Sequence, residues 1–144
     1  MEMVRVHFNL HTHLWSITAM SGPDRGRVVQ HSAIFALTRC KFIVSEAGRQ
    51  RLLAKHQRQV HAWVEGLVAQ PVRQQPKGAV ELRYNPYRAG TFTRRDTGQP
   101  ITSAPRCWFI GWRAFESLKM SNHERADIIV DIRDATSLLD LDHR

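Results

Sequence analysis

The chain has 144 residues, 42% of them hydrophobic, and a formal charge of +8. That length and apolar content suit one compact domain with a real core and exclude a disordered tail. No run of 18 apolar residues occurs, and the N-terminus MEMVRVHFNL carries an acid at position 2 and alternates polar with apolar, so neither a transmembrane helix nor a signal peptide is expected.

The charge is unevenly spread. Residues 124 to 144 hold six acids and three bases, a local −3, which leaves 18 bases against seven acids, or +11, in residues 1 to 123. Of the 21 cations 17 are arginine, whose planar fork suits bidentate contact with phosphate or carboxylate and stacking on flat rings. An anionic partner is the functional reading, and a solubilising surface is the plain alternative. The two cysteines, Cys40 and Cys107, sit in the apolar runs RCKFIV and RCWFIG, which suits buried thiols in a reducing, intracellular compartment.

In chain order, Val4, Val6, Phe8 and Leu10 alternate with Arg5, His7, Asn9 and His11, as in a half-buried strand. Ser21-Gly22-Pro23-Asp24 and Gly26 supply a turn, and residues 27–31 and 33–44 resume β-rich sequence, so the opening third reads as an antiparallel meander. Ser45-Glu46 then has the N-cap and early acid of a helix start, with good helix formers following; the helix is expected at about Glu46 to Arg58, packed on the sheet. VHAWVEGLVAQ, Val60 to Gln70, fits a continued helical stripe or an alternating strand equally.

Pro71, Pro76 and Gly78 frame a linker before the alternating strand AVELRY, in which Val80, Leu82 and Tyr84 oppose Glu81 and Arg83. Asp96-Thr97-Gly98-Gln99-Pro100 is a turn, RCWFIGW a buried strand, RAFESLKM a possible short helix, and ADIIVDIR a last strand leading into an acidic tail. The fold class expected is α+β, an antiparallel sheet with one main helix, in a single domain: a basic ligand-binding body at 1–123 and a C-terminal strand and tail at 124–144 of the same domain.

Chemical motifs are scarce. His7, His11 and His13 would place imidazoles about 7 Å apart on one strand face, but no Cys, Asp or Glu follows at ligand spacing, and a solvated face is the simpler reading. GxSxG, GxGxxG and GxxxxGK[ST] are all missing, and no cysteine lies in a polar setting. Neither catalytic residues nor a metal or cofactor are expected, and the chain reads as a binding protein, not an enzyme. Its richest stretch is YNPYRAGTFTRRDTGQP, Tyr84 to Pro100, with three aromatics and three arginines. Tyr84, Tyr87 or Phe92 can stack a purine, Arg88, Arg94 and Arg95 can hold phosphate oxygens, and Asn85 and Asp96 can read base edges or ribose hydroxyls. Alternatively the Asn-Pro and Asp-Thr-Gly pieces only make turns, the aromatics are anchors and the arginines are solvated.

HFNLH, EAGRQR followed by VHAWVEG, and YNPYRAGTF with DTGQP ahead of a buried strand resemble, over roughly residues 4 to 112, the phage Thoeris anti-defence sponges. The resemblance implies a non-enzymatic phage protein that sequesters a cyclic ADP-ribose isomer made by host TIR-domain proteins. It also implies pairing through sheets into at least a dimer, with signal pockets between protomers and, in some members, cyclic oligonucleotides at separate sites. On that resemblance VHAWVEG is a strand, Phe92 stacks on the adenine, and Thr102 stands where the family uses a side-chain amide. A threonine hydroxyl donates one hydrogen bond where an amide would satisfy a bidentate base edge. The alternative class is a basic phage domain that binds nucleic acid or blocks a CRISPR complex; an enzyme that cleaves the signal is the third.

Overall fold

A computed structural model describes residues 3–9, 11–56, 60–78, 80–88, 90–117 and 127–131. β1 (Met3–Asn9) pairs antiparallel with β2 (Leu14–Ala19), which pairs with β3 (Val28–Ser32), so the chain opens as the meander its turn residues predict. β4 (Ile34–Val44) does not continue it. β5 (Ala62–Val68) inserts between β1 and β4, and β9 (Ser103–Ile110) lies on the far side of β4, giving the order β3-β2-β1-β5-β4-β9. The burial of β1 alternates as its sequence does, with Val4, Val6 and Phe8 inward.

The ambiguous segment after the helix is therefore a strand, and its glycine shows why it fits. A Cβ on Gly66 would stand 2.7 Å from the Thr38 carbonyl oxygen and 3.0 Å from Leu37 Cβ, where β4 and β5 press together beside a register shift. Only glycine allows that approach.

Between β4 and β5 lies α1 (Glu46–Lys55). Its start follows the sequence: Ser45 caps it, with Oγ accepting from the Gly48 amide at 3.2 Å. Its end does not. His56 adopts the left-handed conformation and bonds back to the Leu52 carbonyl, closing the helix at Lys55, short of Arg58, while residues 57–59 lie outside the described residues. Only Gly48 and Leu52 of the helix are buried, so the molecule is sheet-dominated and the expected main helix is a short appendage.

The second sheet holds β6 (Val80–Arg83), β7 (Phe92–Arg94), β8 (Pro100–Ile101), β10 (Arg113–Ser117) and β11 (Asp127–Asp131), in the order β10-β11-β6-β7-β8 with an added β10–β6 pairing. RAFES is thus a strand, not the short helix expected from RAFESLKM. The Gly111-Trp112 turn sends the chain back from β9, and pairing with β11 and β6 overrides propensity. The Leu118 to Met120 part of that expected helix lies outside the described residues.

The core fills the space between the sheets: Val6, Phe8, Trp15 and Ile17 from the meander, Leu37, Phe42 and Val64 from β4 and β5, Phe109 from β9, and Leu82, Tyr84 and Phe92 from the second sheet. Cys40 and Cys107 are free thiols buried in it. On the outer face Ala36 and Trp108 are covered by Ala69 and Val72 of the proline-framed segment.

Candidate functional site

The hairpin formed by β6 and β7 sorts the polar stretch into two faces. Register pairs Leu82 with Arg94 and Arg83 with Thr93. Opposed residues share a face of a sheet, so Leu82, Tyr84 and Phe92 turn into the core while Glu81, Arg83 and Thr93 turn away from it. Phe92 is 3% exposed, with its ring centroid 5.3 Å from that of Phe42 and 5.2 Å from that of Tyr84. The structure thus makes it an interior anchor, with its ring faces against other side chains.

Tyr84 is buried too, and its hydroxyl lies 2.9 Å from Nε2 of the fully buried His61. Burial pushes the Tyr84 phenol well above its ordinary range, so it stays protonated at any physiological pH. The aromatics read as stacking candidates at 84 and 92 are therefore structural, because alternation on a paired strand points both inward.

The polar face and the connecting segment enclose an open cleft of about 420 Å³, lined by Arg83, Asn85, Arg88, Thr91, Thr93, Arg94, Arg95 and Gly98. Asn85 shapes its wall: its side-chain oxygen accepts from the Tyr87 amide at 2.9 Å, and the Arg88 amide donates to the Asn85 carbonyl at 3.1 Å. The resulting turn presents the exposed Arg88. Helix α1 braces the same segment, since Arg49 Nε donates to the Pro86 carbonyl at 2.9 Å. Arg49 is in turn held by Glu46 at 3.1 Å, and Glu46 also accepts from Gln50 at 2.6 Å, a bond that with Arg49 holds its carboxyl below the usual range.

Arg94 and Arg95 of the cleft meet carboxylates. Arg94 grips Asp96 in a fork, Nε to Oδ1 at 3.0 Å and Nη2 to Oδ2 at 2.8 Å, and this contact lowers the Asp96 pKa. Arg95 pairs with the 4% exposed Glu81, whose same oxygen also faces Arg113 at 3.5 Å. The other Glu81 oxygen is buried without a hydrogen-bond partner. The β7–β8 turn that carries Asp96 is closed by Gly98 at φ 75°, with its amide donating to the Arg94 carbonyl at 2.7 Å.

Of the residues singled out from sequence, Asn85, Arg88, Arg94 and Arg95 come together at the cleft; Phe92, Asp96 and Thr102 do not line it. Asp96 stands beside it as the partner of Arg94. Thr102 belongs to another edge, where its carbonyl accepts from the Phe42 amide at 2.9 Å. Arg83, Thr91 and Thr93 were missed as cleft residues, although alternation on AVELRY already put Arg83 on the polar face.

Elsewhere, His7, Ser16 and His31 form a row across β1, β2 and β3, with Ser16 Oγ 3.2 Å from His31 Nδ1. Burial, then Arg5 and His31, lower the His7 pKa from 6.5 to about 4. Among the described residues no three His, Cys, Asp or Glu side chains gather as a metal-ligand set, and no helix is long and apolar enough to cross a membrane.

No solved structure matches the chain. The gene 82 protein of Mycobacterium phage L5 is 32% identical over 111 residues, covering 73% of this chain and 87% of that protein. The family described as Mycobacterium phage L5 gene 82 protein matches residues 1–116, which span both sheets up to β10 and include the whole cleft lining. With four fifths of its length inside that match, the chain belongs to the Mycobacterium phage L5 gene 82 family and is a phage protein.

Proposed function

We propose that the cleft binds a small phosphorylated ligand of the nucleotide class and holds it without chemical change. The observation that carries this reading is the lining itself: Arg83, Arg88, Arg94 and Arg95 meet at one concavity with Asn85, Thr91 and Thr93 among them. Guanidinium forks supply paired N–H groups for phosphate oxygens, while the amide and hydroxyls suit a ribose or a base edge. A cleft of about 420 Å³ falls in the range of small-molecule sites.

The resemblance of the chain to the sponges narrows the ligand to a cyclic ADP-ribose isomer, whose two phosphates suit such a lining. In this reading the protein is an anti-defence protein that removes an immune signal in the host cytoplasm by sequestering it. Base recognition then rests on polar groups of the cleft, since Phe92 lies in the core. The protein works as at least a dimer: β3 is an edge strand free of charged residues, with Val28 47% and Val29 49% exposed, and such edges pair readily.

The test is to mix the protein with a cyclic ADP-ribose isomer, remove free ligand by gel filtration, heat-denature the protein and analyse the released nucleotide. Intact ligand in stoichiometric amount is expected, from a complex whose light-scattering mass is at least twice 16.6 kDa. Release of a cleaved product would make it an enzyme. No retained nucleotide, together with steeply salt-dependent shifts of random duplex or single-stranded DNA, would make it a nucleic-acid binder.

A further inference from the structure

In the cleft, the Arg94 guanidinium fork is fully engaged by an exposed acid, Asp96. Both contacts are short, 3.0 and 2.8 Å, and the Asp96 side chain keeps 43% of its surface in solvent, so an incoming anion can reach it. A two-point fork on a carboxylate is the geometry in which arginine also takes two oxygens of a phosphate.

The pair is local. Arg94 and Asp96 are two residues apart, at the mouth of the β7–β8 turn, and the turn has its own supports: Arg94 N to the Gln99 carbonyl at 2.8 Å, Gly98 N to the Arg94 carbonyl at 2.7 Å, and Gln99 N to Thr97 Oγ1 at 3.2 Å. Opening the fork therefore leaves the turn standing. Arg95 is different, because its partner Glu81 is buried and also faces Arg113, so that contact belongs to the framework.

We infer that Asp96 is an intramolecular competitor for the phosphate site, filling the Arg94 fork until a ligand phosphate displaces it. This rests on the reading of the cleft as a phosphate-binding site. In consequence Asp96, which the sequence suggests as a ligand contact, opposes binding: it keeps Arg94 aligned and neutralised, and sets a threshold that singly charged anions do not pass. A ligand with a doubly charged or paired phosphate displaces it.

The experiment is titration calorimetry with inorganic pyrophosphate on the wild-type protein, Asp96→Asn, Arg94→Ala and the double variant, with a thermal melt of each. Asparagine keeps the turn-forming side-chain oxygen and loses the charge; Asp96→Ser is a second uncharged replacement should Asp96→Asn fold poorly. The wild type is expected to bind, Asp96→Asn to bind about two- to fivefold tighter, the range of an exposed ion pair, and Arg94→Ala to bind at least tenfold weaker with no further change on adding Asp96→Asn. If the wild type binds but the folded Asp96 variants bind equally or more weakly, Asp96 is no competitor and the cleft reading survives. If Asp96→Asn tightens binding equally without Arg94, the effect is bulk charge and the displacement idea fails. If neither protein binds pyrophosphate at millimolar concentration, the cleft reading falls with it.

Discussion

The two faces of the β6–β7 hairpin carry different kinds of residue and do opposite work. On one face Leu82, Tyr84 and Phe92 are at most 3% exposed and join the core; on the other, Arg83 and Thr93 line the cleft with Arg95 beyond them. The adjacent Arg83 and Tyr84 thus have separate consequences: loss of the aromatic should cost stability, loss of the arginine binding. That difference can be broken experimentally at several points.

The largest effect is expected at Phe92. Phe92→Ala removes a ring packed against Phe42 and Tyr84 and should cost about 3–5 kcal/mol of stability, read as a sharp fall in the denaturant midpoint. A stable, well-folded Phe92→Ala protein would show that the face assignment is wrong.

Acid sharpens the same division from the other sheet. His7 has a folded pKa of about 4 against an ordinary 6.5, so as pH falls the unfolded chain takes up the proton first. Stability is therefore full above pH 6.5, declines between pH 6.5 and 4 and levels off below, by on the order of 1–3 kcal/mol. Urea unfolding at pH 7 and pH 4.5 reads it, and His7→Gln should flatten most of the slope; an unchanged slope would assign the effect to other groups.

Tyr84→Phe keeps the ring and deletes the hydroxyl that His61 meets at 2.9 Å in the interior. The expected cost is about 1–2 kcal/mol, since one buried polar contact is lost while packing stays. Smaller still is the effect of Arg88→Ala on folding: its side chain is exposed, so its melt should stay within about 0.5 kcal/mol of wild type while ligand affinity falls.

Much of this fold was legible because alternation and turns are local. The β1 pattern, the Ser45 cap, the Asp96 to Pro100 turn and the burial of both cysteines follow from residues next to one another. What was not legible depends on pairing. No strand was expected at Phe92–Arg94 because three residues are too few to show a period; once β7 is paired to β6, parity decides that Phe92 goes in and Thr93 out. RAFES has helix-forming residues and becomes a strand because a turn at Gly111 returns it to the second sheet. The helix ends at Lys55 because His56 takes the left-handed conformation.

For the site, Asn85, Arg88 and Arg94 were visible as chemistry but not as geometry. Their grouping with Arg83 needs the hairpin register, and the capture of Arg94 by Asp96 needs the turn. Thr102, placed by resemblance, sits at another edge because β8 ends one residue before it and its carbonyl joins β4.

The measurement that tests the account most directly is calorimetric titration of a cyclic ADP-ribose isomer into the wild-type protein and an Arg83→Ala/Arg88→Ala variant, each checked by thermal melt. Saturable binding to the wild type and at least a tenfold loss in the variant, with the variant still folded, are expected. Equal affinity in the two folded proteins, or no binding to the wild type, would contradict the account.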